Sequence, residues 1–135
     1  MGEVGFASLT LEEIRQQYGE STSRRQFLFR RLQTVIRLLS ETGNLRHLYL
    51  FGSFTTAKPT PGDLDCLAVM AAGFTTVNLP THLLDVFHHD LCRLYYHADV
   101  FWVTESIGNE RIADLLDVFS RDREKRQQPV IEVKV

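Results

Sequence analysis

Leu48-Tyr49-Leu50-Phe51-Gly52-Ser53-Phe54, then Thr55 to Pro61, then Gly62-Asp63-Leu64-Asp65-Cys66-Leu67: on this stretch both the fold and the chemistry turn. The run His47 to Phe51 is aromatic and apolar and stops at a glycine, the pattern of a buried strand feeding a turn. Leu64 to Met70 is the next strand. Its faces are Asp63/Asp65/Leu67/Val69 and Leu64/Cys66/Ala68/Met70, so apart from the acids both sides are apolar, as in the middle of a sheet. Residues two apart on a strand share a face, which aims both carboxylates the same way. Two carboxylates at a central strand are costly unless paired or metal-bound.

Each part of the stretch suits one task. Gly52 lets backbone approach a phosphate closely, because it has no side chain in the way. Ser53 adds a hydroxyl, and a helix starting there would add free N–H groups that favour anions. Asp63 and Asp65 supply oxygens for a hard cation; magnesium takes one or two carboxylates and leaves its other positions to phosphate oxygens and water. Two such ions would serve the attacking and leaving oxygens of an in-line displacement. Asp99, at the head of the strand Ala98 to Val103, is placed to be the third carboxylate, as metal ligand or base. The alternative for Asp99 is an acid that merely opens its strand, and Glu105, just beyond, is the weaker candidate for the role.

Outward from this centre, Met1 to Ala7 has no period, and Ser8-Leu9-Thr10-Leu11-Glu12-Glu13 offers a helix cap with acids in the first turn, predicting a short helix to about Tyr18. Phe27, Leu28, Leu32, Val35, Ile36 and Leu39 recur at helical steps until Gly43. The other face carries Arg24, Arg25, Arg30, Arg31 and Arg37, which reads as a solvated face, with phosphate binding as the alternative. Leu79-Pro80-Thr81 opens a helix expected to run to about Leu94, with Leu83, Leu84, Phe87, Leu91 and Leu94 on one stripe. Asn109 is expected to cap a helix carrying Ile112, Leu115, Leu116 and Phe119. Ser120 to Gln128 is a charged turn, and the alternating tail Val130 to Val135 looks like a half-exposed edge strand. His88-His89 shows no metal-ligand spacing, His97 can share a face with Asp99 but reads first as an ordinary solvent-facing histidine, and Trp102, Phe101, Tyr95 and Tyr96 read as packing residues.

The class is therefore α/β (α+β), a small mixed sheet flanked by helices. The 135 residues suit one domain, 1–135, with 1–22 as an N-terminal extension holding the short helix. A hydrophobic share of 44% and a charged share of 24% exclude a mainly disordered chain. Fifteen basic against seventeen acidic residues, net −2, give no global pull toward nucleic acid. Two cysteines, Cys66 and Cys92, fit a reducing cytoplasm; no signal pattern precedes Ser21, and no apolar run is long enough for a membrane span.

The Gly52-Ser53 turn, the ten-residue step to Asp63, the Gly62 before it and the acid-hydrophobic-acid strand resemble the signature of the nucleotidyltransferase superfamily that includes DNA polymerase beta. More narrowly, Gly52-Ser53-Phe54-Thr55-Thr56-Ala57-Lys58-Pro59 with Pro61-Gly62-Asp63 is similar to minimal single-domain bacterial proteins of that superfamily, a likeness covering most of the chain. The resemblance implies a nucleotidyltransferase fold and transfer of a nucleoside monophosphate from an NTP, ATP by default, to a hydroxyl. It implies magnesium or manganese held by Asp63, Asp65 and Asp99, with phosphate against Gly52 and Ser53 and within reach of Lys58. The acceptor stays open among protein, RNA and small molecule, since no second domain is recognisable. The rival expectation is an interaction module, the antitoxin-like half of a two-component system, that binds or modifies a protein partner. A homodimer through the last strand is a further expectation.

Overall fold

A computed structural model describes residues 6–135. Strands β1 (Phe6–Thr10), β2 (Leu45–Phe51), β3 (Leu64–Met70), β4 (Ala98–Thr104) and β5 (Val130–Lys134) form one mixed sheet in the order β1-β5-β2-β3-β4. The β1–β5 and β3–β4 pairs are parallel, and β2 runs antiparallel to both of its neighbours. Helices α1 (Leu11–Tyr18), α2 (Ser23–Glu41), α3 (Thr81–Phe87), α4 (His89–Tyr96) and α5 (Asn109–Phe119) cover it. This is the expected class, a small mixed sheet flanked by helices.

One face of the sheet packs Leu48, Leu50, Cys66, Ala68 and Val100 against Leu28, Leu32, Val35 and Leu39 of α2, with Ile14, Leu83, Val86 and Cys92 of the other helices completing the cluster. Each fully buried Leu or Val there stabilises the fold by roughly 1.5–3 kcal/mol. The opposite face packs Tyr49, Phe51, Leu67 and Val69 against Ile112 and Leu116 of α5. Every residue of β3 is buried except Asp65, which is half-buried. Thus the apolar run and its one acid both arise from β3 lying between two helical layers.

Four expectations change. Residues 1–5, most of the stretch read as lacking a period, lie outside the described residues, but Phe6–Thr10 is a strand rather than helix lead-in or detached extension. The helix cap expected within Ser8 to Glu13 is present at Thr10: its Oγ1 accepts from the Glu13 amide at 3.1 Å, and Glu13 Oε1 accepts from the Thr10 amide at 3.0 Å. Because β1 pairs with it, β5 is interior and not an edge, with Val130, Ile131 and Val133 buried. Dimerisation through that tail would require β1 to leave. The long helix breaks at His88, whose extended backbone ends α3 and whose Nδ1 accepts from the Leu91 amide at 3.4 Å. The break turns Val86 and Cys92 inward and leaves Leu94 67% exposed, so the single predicted stripe is not one stripe. Finally, Gly108 at φ 91°, rather than Asn109, precedes α5. Among the described residues no helix is long and apolar enough to cross a membrane.

Candidate functional site

β2 ends in a single 3-10 turn, Gly52–Thr55. In the register, Phe51 faces Asp65, so the turn folds directly over that carboxylate. Gly52 adopts φ 79°, and a Cβ on it would stand 2.3 Å from Asp65 Oδ2. Both facts require glycine: the positive φ strains any L side chain, and the space is already filled by an oxygen. Ser53 Oγ accepts from the Gly62 amide at 3.2 Å, closing the loop onto the start of β3. A four-residue turn carries little macrodipole, so the sequence expectation of a helix N-terminus reduces to close backbone approach and the Ser53 hydroxyl.

Asp65 and Asp99 stand side by side, but Asp63 is turned to arginines, so the three predicted acids are not gathered into one cluster among the described residues. Asp65 lies in β3 with Asp99 as its partner in β4. Asp63 stands just before β3, in a bend, and is not itself a strand residue. Its Oδ2 is 3.5 Å from Arg93 Nη2 and its Oδ1 4.0 Å from Arg24 Nη2. Arg93 also reaches Asp99 Oδ1 at 3.5 Å through Nε, and the His89 ring nitrogen Nε2 stands 3.0 Å from the same oxygen. Neither is aligned to bond it: Asp99 Oδ1 is buried and has no hydrogen-bond partner. Burial first, then the neighbouring Asp99, then Asp63, push the Asp65 carboxyl up to about 7, with Arg93 opposing. Burial disfavours the charged form and like charges add to it. Among the described residues no three His, Cys, Asp or Glu side chains stand at ready-made cation spacing.

An open cleft of about 770 Å³ begins at these residues. Gly52, Ser53, Lys58 and Asp65 line it, and so do Arg121, Arg123 and Arg126. Lys58 therefore lies where the sequence placed it, beside the turn. The arginines come from the charged turn that carried no role in the sequence reading. Arg121 Nη2 pairs with Asp117 at 3.0 Å and Arg126 Nε with Asp122 at 3.0 Å, so this rim is held in place. The lining mixes the Asp65 carboxylate with Lys58 and with arginines whose neighbours Asp122 and Glu124 also border the cleft, a set of groups that can meet both an anion and a cation.

Several supporting residues escaped the sequence reading. Arg25, assigned to a solvated face, is 3% exposed. Its guanidinium donates to the carbonyls of Tyr18 (3.1 Å), Phe54 (2.8 Å) and Lys58 (2.7 Å), locking the loop between the turn and β3. Arg24 Nε likewise donates to the Pro61 carbonyl at 3.0 Å. A signal existed: Arg25 lies three and seven residues before Leu28 and Leu32, on the buried stripe. His89 and Arg93 carried none, because only the break at His88 aims them at Asp99. His97 is exposed, the reading favoured over a bond to Asp99; it caps α4 at φ 53° and packs edge-to-face on Phe27 at 5.1 Å. Trp102 packs edge-to-face on Phe74 and Phe87, as expected of a packing residue. Cys66 and Cys92 are buried free thiols, and burial pushes Cys92 up to about 12, which leaves it inert as a nucleophile.

Residues 2–134 match the model of a family described as "Family of unknown function (DUF6932)". No curated protein and no solved structure matches the chain.

Proposed function

We propose that this chain, which belongs to the DUF6932 family, is a metal-dependent nucleotidyltransferase of the nucleotidyltransferase fold, moving a nucleoside monophosphate from an NTP, with ATP as the default donor, to a hydroxyl acceptor. The observation that carries the reading is the buried Asp99 Oδ1, left without a hydrogen bond next to Asp65 and beneath a glycine turn that a Cβ would fill. A buried carboxylate oxygen with no aligned hydrogen bond, beside only the His89 ring at 3.0 Å and the Arg93 guanidinium at 3.5 Å, is retained at a free-energy cost that a bound cation, displacing those groups, would offset. The donor set fits magnesium or manganese: carboxylate oxygens only, few enough to leave positions for triphosphate and water.

Asp65 and Asp99 would hold the cation, with Asp63 joining when it leaves Arg93. A divalent ion there supplies charge neutralisation on the phosphoryl oxygens and a more acidic acceptor hydroxyl. Gly52 and Ser53 offer close backbone approach and a hydroxyl to the phosphates, and Lys58 with the rim arginines balances their charge. The acceptor oxygen attacks the α-phosphorus, its proton passes to Asp99, the bond from the α-phosphorus to the bridging oxygen breaks, and pyrophosphate departs. Catalysis of this kind is positional and electrostatic.

The test is incubation with α-labelled NTPs and magnesium or manganese in the presence of RNA, protein and small-molecule fractions of a cell extract. The reading expects label in one fraction and release of pyrophosphate, both lost in Asp65→Asn. Label in none of the fractions, with no pyrophosphate from any NTP, would overturn it. Which fraction is labelled identifies the acceptor, and a labelled protein would join the catalytic reading to the partner-modifying one.

A further inference from the structure

The α5 face of the sheet carries an aromatic set that packing alone does not use up. Phe119, the last residue of α5, stacks on Phe51 (centroids 5.7 Å apart, planes 18° apart) and on Phe101 (4.7 Å, 22°). Phe101 also stacks on the His89 ring at 5.3 Å. Tyr49, Leu67, Val69 and Leu116 in the same cluster are buried, whereas Phe101 and Phe119 are only partly covered, and both line the cleft that begins at Gly52, Ser53 and Asp65. They also line a second, apolar hollow of about 340 Å³ on the β4 side. The cleft is therefore lined both by charged groups, Asp65, Lys58 and the arginines among them, and by partly covered aromatic rings.

The rings and the acids share one face of the sheet. Phe51 is the cross-strand partner of Asp65, and Phe101 follows Asp99 by two residues on β4, hence on the same face. Two residues of strand advance about 6.6 Å, a step comparable to that from the α-phosphate of a nucleotide across its ribose to the base. We propose that the partly covered Phe101 and Phe119, backed by the buried Phe51, form the nucleobase platform of the cleft, and that the platform selects purine over pyrimidine triphosphates. The inference rests on the nucleotidyl-transfer reading and adds to it where the base goes and which bases are preferred. Stacking recognises the π-face that every base has, and its strength grows with ring area, which is why purines gain more than pyrimidines.

The experiment is calorimetric titration of the whole chain in manganese with three probes: a non-hydrolysable ATP analogue, the matching UTP analogue and inorganic tripolyphosphate. Wild type is expected to bind the ATP analogue more tightly than the other two. Phe119→Leu keeps apolar bulk on α5 but removes the ring, and is expected to weaken the ATP analogue by about tenfold or more while tripolyphosphate changes by less than about twofold. Phe119→Trp is expected to retain or tighten nucleotide binding, and thermal unfolding checks that both variants fold. Equal weakening of all three probes in Phe119→Leu, or no weakening of the ATP analogue, overturns the platform. So does a wild type that binds tripolyphosphate as tightly as the ATP analogue, an outcome that leaves the metal–phosphate reading standing. A wild type that binds no probe overturns the nucleotidyl-transfer reading itself, and the platform with it.

Discussion

Asp65→Asn should make the protein more stable at pH 8 while removing the proposed metal–nucleotide chemistry. The Asp65 carboxyl, ordinarily at 3.8, is pushed up to about 7 by burial and by Asp99 and Asp63. Between those two values the folded chain binds more protons than the unfolded one, so stability falls as pH rises from about 4 to about 7 and is flat above that. At about 1.4 kcal/mol per tenfold, the rise is worth roughly 4 kcal/mol of folding free energy, all of it lost by pH 8. Asparagine keeps the shape, removes the charge and brings an N–H donor to face Asp99. The variant is therefore expected to gain roughly 2–4 kcal/mol at pH 8, about 10 °C in Tm, and less than about 1 kcal/mol at pH 4.5. Urea and thermal unfolding at both pH values measure this directly. Manganese at pH 8 should raise the wild-type Tm and leave the variant unmoved. A variant less stable than wild type at pH 8, or a gain equal at the two pH values, would refute the claim that Asp65 is held against its charge.

Gly52→Ala meets both a φ of 79° and the Asp65 Oδ2 atom, so it should lose about 2 kcal/mol or more in urea unfolding. In an Asp65→Gly background the collision disappears and the dihedral strain remains, so the double variant should recover only part of the loss. Arg25→Met strips the Tyr18, Phe54 and Lys58 carbonyls of their donor and should lower stability by roughly 3 kcal/mol, with faster amide exchange across residues 54–61 as the local readout. Arg93→Gln removes the group that opposes the upward push on Asp65, so the midpoint of the stability–pH profile should move to higher pH. A midpoint that stays or falls would contradict the assignment.

The strand–turn–strand at the centre was legible because its signals are local: an apolar run halted by a glycine, then acids two apart ahead of another apolar run. Leu64–Met70 matches the expected strand at both ends, and Asp99 lies level with Asp65. The α2 period was equally plain. What escaped depends on contacts far apart in sequence. Phe6–Thr10 has little alternation of its own and becomes a strand by pairing with Val130–Lys134 at the other end of the chain; without β1 the tail reads as an edge. The break at His88 has neither glycine nor proline to announce it, yet it aims His89 and Arg93 at the acids. Arg25 was marked by its place on the buried stripe, but an arginine there is informative only once the carbonyls it bonds are known. The rim arginines, on a charged turn, acquire meaning only from the cleft they border.

The most direct test of the central claim, that Asp63, Asp65 and Asp99 hold a cation together with a triphosphate, is a manganese titration followed by electron spin resonance, with and without a non-hydrolysable ATP analogue. The account predicts a saturable bound-manganese signal that tightens when nucleotide is present and vanishes in Asp65→Asn. A free-manganese spectrum that the protein leaves unchanged, with or without any nucleotide, would contradict it.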